Sequence, residues 1–292
     1  MRFSLCFFST AILGASIFFS PLAIADSTKQ QFEQGLAAIK IGDYETAFKL
    51  WKPLAEQGDM SAQFNLGMMY ERGDWVSQDY SESLKWYKKA AEQGHTSAQF
   101  ELGVMYAIGE KVKQDYAEAF KWYKKAAERG HAKAQFNLGS MYREGLGVKQ
   151  DYFETVKWYK KASEQKLSRA QFNLGNMYKQ GLGVKQDYFE AIRLYRQSAE
   201  QGEAAAQFQL GIMYEEGNGV KQNHFEAMNW YQKAANQEYA QAQVFLGLGY
   251  ALGVGAKKNK VLAKEWFGKA CDNKNQKGCE YYSKLNRGEE LQ

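Results

Sequence analysis

The chain has 292 residues, 45% apolar and 15% aromatic, with 27 glycines, 2 prolines and 3 cysteines. That composition can bury a sizeable core and excludes disordered and collagen-like chains. Its 38 basic and 33 acidic residues leave a charge of +5 with both signs interspersed, no footprint for nucleic acid, and His95, His131 and His224 lie too far apart to suggest a metal site.

At the start, Arg2 precedes an apolar stretch from Leu5 to Phe19, and Ala23-Ile24-Ala25 supplies the small residues of a cleavage site. The pattern predicts a cleavable secretory signal over 1–25. Ser9, Thr10, Ser16, Ser20 and Pro21 interrupt a stretch already short for a membrane span. Asp26 rather than cysteine follows the cut, which argues against a lipoprotein. The expected location is periplasmic or secreted, with no membrane insertion after cleavage. Cys6 leaves with the signal, so Cys271 and Cys279 form the one possible pair of an exported chain.

Beyond the signal the sequence repeats. Ala-Gln-Phe-x-Leu-Gly recurs with Gln63, Gln99, Gln135, Gln171 and Gln207 at steps of 36 residues, and Gln243 continues the register. Asp79-Tyr80, Asp115-Tyr116, Asp151-Tyr152 and Asp187-Tyr188 keep the same step, followed by Asn223-His224 and Asn259-Lys260. A third column runs through Trp86-Tyr87, Trp122-Tyr123, Trp158-Tyr159, Leu194-Tyr195, Trp230-Tyr231 and Trp266-Phe267.

Within one unit, Ala62, Leu66, Met69 and Tyr70 follow helical spacing and predict a short helix A over 60–71. Asp79 opens helix B as N-cap, with Glu82 three residues on to complete a capping box. Leu84, Tyr87 and Ala91 form its buried stripe, and Gly94 ends it in the left-handed conformation. Gly67, Gly103, Gly139, Gly175, Gly211 and Gly247 sit inside helix A, where glycine costs about 1 kcal/mol against alanine, so a neighbouring helix is expected to approach closely there. Gly145 and Gly147 shape the A–B loop; no strand precedes them, which argues against a phosphate loop.

The first unit is shorter, Gly35 to Tyr44 standing where later units span Gly67 to Tyr80. The expected organisation is a signal over 1–25, a capping unit over 26–59, tandem 36-residue repeats over 60–273, and a closing helix and tail over 274–292. Terminal units of a solenoid differ because one face meets water.

The string Ala-Gln-Phe-Asn-Leu-Gly-x-Met-Tyr, the glycine loop, Asp-Tyr, Trp-Tyr and the closing glycine resemble the Sel-one-like repeat (SLR) family, relatives of tetratricopeptide repeats, over residues 28–286. The opening unit is similar to an ordinary tetratricopeptide hairpin. The resemblance implies an all-α, right-handed superhelical α/α solenoid of SLR/TPR-like helix pairs that serves as a platform for other proteins, often in bacterial envelopes or in host contact. Cys271 and Cys279 are similar to the bridges that join helix B to the next helix A in the cysteine-rich, exported branch; two independent core thiols are the alternative.

The expected role is therefore a non-catalytic scaffold, without cofactor or metal, that binds a protein or peptide as a monomer. The alternatives are a β-lactam or cell-wall hydrolase of the cysteine-rich type, or an envelope regulator that sequesters a sensor or cell-wall enzyme. Ser163-Glu164-Gln165-Lys166 is the Ser-x-x-Lys match, but neither Ser-Asp-Asn nor Lys-Thr-Gly accompanies it. His95 and His131 read as solvated loop residues, and Lys88-Lys89, Lys124-Lys125 and Lys160-Lys161 as a solvated ridge paired with acids. Trp75 replaces a loop glycine and is expected to be exposed.

With Leu66 at the centre of the buried face and 100° per residue, Phe64 and Met68 point away from it, toward the side that lines the concave surface in tetratricopeptide relatives. Phe64, Phe100, Phe136, Phe172 and Phe208 form an apolar ladder that packing against the paired helix does not explain on that wheel; the alternative is filling between successive A helices. Beside it Met68 and Asn176 belong to a column that varies from copy to copy, and Asn65, Asn137 and Asn173 carry amides suited to an extended backbone. These ten residues are the expected partner-binding set.

Repeat logic makes one prediction here. Deleting the 36 residues 96–131 leaves a folded, shorter chain, whereas deleting 18 does not. Helical circular dichroism with a thermal transition checks it; equal damage from both deletions refutes modularity.

Overall fold

The computed structural model describes residues 21–291. Most of the predicted signal, residues 1–20, lies outside the described residues. The helices in chain order are α1 (Pro21–Lys40), α2 (Tyr44–Glu56), α3 (Met60–Arg72), α4 (Tyr80–Glu92), α5 (Thr96–Ile108), α6 (Tyr116–Glu128), α7 (Ala132–Glu144) and α8 (Tyr152–Glu164). They continue as α9 (Ser168–Gln180), α10 (Tyr188–Glu200), α11 (Ala204–Glu216), α12 (His224–Ala235), α13 (Ala240–Leu252), α14 (Lys260–Asp272) and α15 (Gln276–Asn286). No strand occurs among the described residues. The chain divides into two compact units, residues 1–93 with α1–α4 and residues 94–292 with α5–α15. Within each, every helix packs on the next in chain order, so the fold is an all-α helical repeat solenoid.

Local chemistry accounts for the helix limits. Asp79 Oδ1 accepts from the N–H groups of Ser81 and Glu82 at 2.8 and 3.0 Å, and Asp115 and Asp151 cap α6 and α8 in the same way. The reciprocal half of the expected capping box is not made. The N–H of Asp79 instead donates to the Tyr70 carbonyl at 2.9 Å, and Asp115, Asp151 and Asp187 do likewise to Tyr106, Tyr142 and Tyr178. That bond closes the A–B loop back onto helix A and releases the glutamate, which pairs outward: Glu82 with Lys85 at 2.9 Å and Glu154 with Lys157 at 2.7 Å. Helix B ends on a left-handed residue, glycine at 94, 130 and 202, but Lys166, Glu238 and Lys274 hold φ of 62°, 63° and 61° at the same register.

The A–B pair is built around the helix A glycine. A Cβ on Gly139 would lie 2.7 Å from Tyr159 Cδ1, and one on Gly175 would lie 2.8 Å from Tyr195 Cε1. Tyr159 and Tyr195 are fully buried, so the ring of helix B rests directly on the backbone of helix A. Gly67 and Tyr87 repeat this in the first unit. The close approach expected from the sequence is thus intra-pair, and it sets the distance between the two helices.

Successive pairs are joined by buried glutamines. In the second unit, Gln135 Nε2 donates to the Ala127 carbonyl at 3.1 Å, while its Oε1 accepts from Gln165 Nε2 at 2.8 Å. Gln165 also donates to the Gly130 carbonyl at 2.9 Å. One amide thereby ties the end of α6, the start of α7 and the end of α8. In the first unit Gln63 repeats the pattern with Ala55 and Gln93. In the last of these ties Asn273 replaces the outer glutamine and donates to Gln243 Oε1 at 3.0 Å. One junction further on, the sulfurs of Cys271 in α14 and Cys279 in α15 lie at bonding distance, with Cα atoms 4.5 Å apart.

From α7 onward the A–B loop also lies across the start of the preceding helix B. Gly147 (φ 66°) and Gly183 (φ 66°) have no room for a Cβ, which would meet the carbonyls of Tyr116 and Tyr152. Trp75 holds φ of 68° at the equivalent place in the first unit and is 54% exposed, as expected for a residue substituted into a glycine position.

Gly139→Ala tests the intra-pair constraint. Overpacking against Tyr159 is expected to cost about 1–3 kcal/mol in urea unfolding, although alanine is the better helix former. In a Tyr159→Ala background the same change should cost nothing, giving a coupling of that size in the double-mutant cycle.

Candidate functional site

The tyrosine that rests on the helix A glycine carries its hydroxyl through to the next face of helix A. Tyr87 OH donates to Glu71 Oε2 at 2.6 Å in the first unit. In the second, Tyr195 OH donates to Asn176 Oδ1 at 2.7 Å, Ser140 Oγ and Tyr159 OH lie 2.9 Å apart, and Tyr231 OH donates to Glu215 Oε2. Burial raises the phenols of Tyr159, Tyr195 and Tyr231, and that of Tyr123 to about 12 despite a hydrogen bond with Asn137, so these four are neutral at physiological pH. They act as positioning groups for the A-helix face.

The expected binding set lies on the A helices of both units, Phe64, Asn65 and Met68 in the first and the other seven residues in the second, but its surroundings differ from the wheel. Phe64 lies 5.6 Å from the Tyr87 ring, Phe100 5.9 Å from Tyr123, Phe136 5.4 Å from Tyr159, Phe172 5.9 Å from Tyr195 and Phe208 5.6 Å from Tyr231, centroid to centroid. Packing against the paired helix therefore does explain the ladder. The wheel took Leu66 alone as the buried centre, whereas the tyrosine sits over Gly67, and Phe64 is one turn back from that glycine. Phe208 is buried and the other four are half-buried.

Of the amides, Asn137, Asn173 and Asn176 have partners within the chain. Asn173 Oδ1 accepts from Arg143 Nη1 at 3.1 Å, and its Nδ2 donates to the Arg169 carbonyl at 2.8 Å. Asn137 bonds Tyr123, Asn176 bonds Tyr195, and Asn65 is buried at 7% exposure. Met68 is half-buried. Sequence reading missed Arg143 and Lys179, which link consecutive A helices across this face; Lys179 Nζ donates to Gln209 Oε1 at 3.0 Å. Their column, Glu71, Ala107, Arg143, Lys179 and Glu215, changes charge from copy to copy, and that was the available signal. At the far end of the face Gly249 stands where other copies have methionine, and a cavity of about 140 Å³ opens between Glu215, His224, Met228, Phe245 and Leu248. The Nδ1 of His224 is buried there without a hydrogen-bond partner.

Elsewhere the polar residues have structural duties. Lys89, Lys125 and Lys161 sit 4.3, 4.3 and 4.4 Å from the ring centroids of Trp86, Trp122 and Trp158. Half of the expected lysine ridge thus covers tryptophan. Ser163 and Lys166 line one cleft of about 280 Å³, with no hydrogen bond between their side chains. No cluster of three metal-ligating side chains occurs among the described residues.

The loop histidines are a correction. His95 and His131 are N-caps of α5 and α7, their Nδ1 atoms accepting from Ala98 and Ala134 N–H at 3.2 Å. His131 stacks on Phe100 at 4.5 Å, and burial, assisted by Lys133, lowers its pKa from the ordinary 6.5. A cap acceptor requires the neutral ring. In the unfolded chain His131 takes up a proton near pH 6.5 that the folded form resists, so stability is expected to fall as pH drops below that value. His131→Asn, which keeps an acceptor without titrating, should remove that part of the slope in urea midpoints measured against pH.

The pattern of the Sel1 repeat matches residues 32–59, 61–95, 96–131, 132–167, 168–203, 204–239 and 240–275. A solved structure described as a protective antigen of uropathogenic Escherichia coli strains displaying an SLR fold is 38% identical with a TM-score of 0.79, covering 82% of this chain; this chain spans 52% of that one. A Sel1 repeat protein from Oxalobacter formigenes is 32% identical with a TM-score of 0.74, covering 88% of this chain and 76% of its own. Among curated proteins none matches. No described helix is long and apolar enough to cross a membrane. Seven matched repeats, five of them with the same glycine–tyrosine pair and the others with Trp51 or Phe267 over the glycine, place this chain in the Sel1 repeat family, a family of protein-interaction scaffolds.

Proposed function

We propose that the protein is an exported, non-catalytic scaffold that binds a protein or peptide segment along its A-helix face. The observation that carries this reading is the contrast between columns on one helix. Leu66, Gly67 and Met69 recur almost unchanged because they pack, while Met68, Val104, Ser140, Asn176, Ile212 and Leu248 change at the adjacent position and remain half-buried. Variation beside constancy suits a lining fitted to a ligand rather than to the fold. Phe64, Phe100, Phe136 and Phe172 supply the apolar floor from the edge they leave open beside the tyrosines, and Arg143, Asn173 and Lys179 supply polar contacts.

The predicted signal over 1–25 and the cysteine pair support export, as does the description of the Escherichia coli relative as a protective antigen. In this reading residues 26–59 cap the first repeat, 60–273 are the repeats and 274–292 close the last one. The partner meets a monomer.

Photoreactive p-benzoylphenylalanine placed at Val104 or Asn173, with Lys160 on a B helix as control, tests the face. Cross-linking in the native envelope is expected to capture one and the same partner from the first two positions and none from the third. Equal capture from all three positions, or capture from Lys160 alone, counts against it.

A further inference from the structure

In the second unit, one apolar column takes no part in packing. Phe153, Phe189 and Phe225 are 77%, 76% and 64% exposed, and Val261, in the same register, is 68% exposed. They are the second residues of α8, α10, α12 and α14. The buried stripe of α8, with Thr155, Trp158, Tyr159 and Ala162, leaves Phe153 outside it. No ring pair or core cluster among the described residues includes any of the three phenylalanines. Single exposed apolar side chains are ordinary, but four in register along one edge are not. The same column holds Ser81 in the first unit and Ala117 at the start of the second, so the apolar character belongs to the later repeats.

Positive charge on this edge grows along the chain. Exposed Lys149, Lys185, Lys221 and Lys257 stand four residues before the apolar column, and Lys258 and Lys260 add to the last. The capping acids of earlier repeats, Asp151 and Asp187, become Asn223 and Asn259. Asn223 Oδ1 still accepts from Glu226 N at 3.1 Å, and Asn259 Oδ1 from Val261 N at 3.1 Å, so the cap survives and the negative charge is gone. Glu154 and Glu190 in the first turns are held by Lys157 at 2.7 Å and Arg193 at 2.6 Å; Glu226 is the remaining acid there.

Clefts flank the column. One of about 670 Å³ is lined by Phe189, Val184, Lys185, Val220 and Lys221 with Asp187 among them, and another of about 310 Å³ on the far side by Phe189, Ile192, Arg193, Arg196 and Val220 with Glu200. Depth on this scale accepts side chains, which a flat lipid surface would not supply. The chain's own tail places an acid against the last lysine of this edge. After α15, Glu290 reaches back to Lys260 Nζ at 3.2 Å, and Leu291 packs on the last apolar cluster with Tyr281 and Tyr282. An acid followed by an apolar residue therefore already seats beside the start of α14.

We propose that the edge formed by Phe153, Phe189 and Phe225 with Lys149, Lys185 and Lys221 docks an acidic, apolar-bearing segment of another protein. The segment's apolar side chains enter the clefts beside the phenylalanines, and its carboxylates meet the lysines. This surface is carried by B helices and loops, apart from the A-helix face, so either can fail without the other.

The test selects a displayed library of random twelve-residue segments against the purified protein. Enriched segments are expected to combine Glu or Asp with Leu, Ile or Phe and to bind about tenfold or more weakly to the Phe189→Ser, Phe225→Ser double variant, whose side chains are exposed and whose thermal midpoint should be unchanged. A Lys185→Glu, Lys221→Glu variant gives a second reading that leaves the apolar residues intact and should weaken the same segments by a similar factor. Arg143→Ala, on the A-helix face, should leave their binding as it was. Segments without acidic enrichment, or binding to both double variants as tight as to the unaltered protein, overturn the proposal. So does an outcome in which the double variants lose binding to phosphatidylglycerol vesicles, or lose self-association in sedimentation, while no acidic segment is selected.

Discussion

The contact between a buried tyrosine ring and the bare backbone of a helix A glycine governs much of this molecule. With Tyr159 over Gly139 and Tyr195 over Gly175, the two helices of a pair approach to a separation that any Cβ would prevent. The ring then has nowhere to go but across the glycine, which brings it against the phenylalanine one turn back and sends its hydroxyl to the A-helix face. Ring packing, phenol burial and the polar lining of that face are consequences of one missing side chain. Isolated glycine in a helix is unfavourable by about 1 kcal/mol, so the arrangement persists because the buried tyrosine returns more than that.

Where the tyrosine sets distance within a pair, the glutamine column sets register between pairs. A buried amide with both ends bonded is strongly directional, since an unsatisfied donor or acceptor there costs about 1–3 kcal/mol. Gln135 can bond Ala127 and Gln165 together only if α6, α7 and α8 are stacked in one register. The apolar contacts around it would tolerate sliding; the amide does not. Toward the C-terminus the same duty passes to Asn273, with Cys271 and Cys279 one junction further on, and Glu290 and Leu291 lie where a further repeat would place its loop.

Helix limits were legible in the sequence because caps are local. Asp79, Gly94 and the 36-residue step place α3 and α4 within a residue or so of where they lie. The close approach at Gly67 was legible too, since a conformationally costly residue fixed in register needs a packing cause. The side of helix A that carries Phe64 was not, because a helical wheel treats the buried face as centred on one residue, whereas a large ring lying over a glycine widens that face by a turn. Nor were the histidine caps: His95 and His131 share a column with Leu167, Glu203 and Tyr239, which make no side-chain cap bond, so the column averages to a loop. The glutamine was visible only as a register mark, since its partners lie 8 and 30 residues away and belong to two other helices.

Repeats within one chain offer a comparison of structural duties at constant backbone. A position that changes while its duty is still performed must answer to something besides folding. Asn223 and Asn259 replace aspartate yet bond the same first-turn N–H groups, so the exchange leaves the cap in place and alters only charge. Phe153, Phe189 and Phe225 replace the Ser81 and Ala117 of earlier copies on a helix face that buries nothing, so the exchange leaves the core unaltered and changes only what solvent or a partner meets. Gly249 replaces methionine, and Met228 comes to lie against the bared backbone without filling all the vacated space. The first two changes fall on one edge of the second unit and act in the same sense, adding apolar surface and positive charge together. Drift at exposed positions would scatter in both character and place. Their coincidence on one edge is what separates a surface shaped for a partner from one that is merely free to vary.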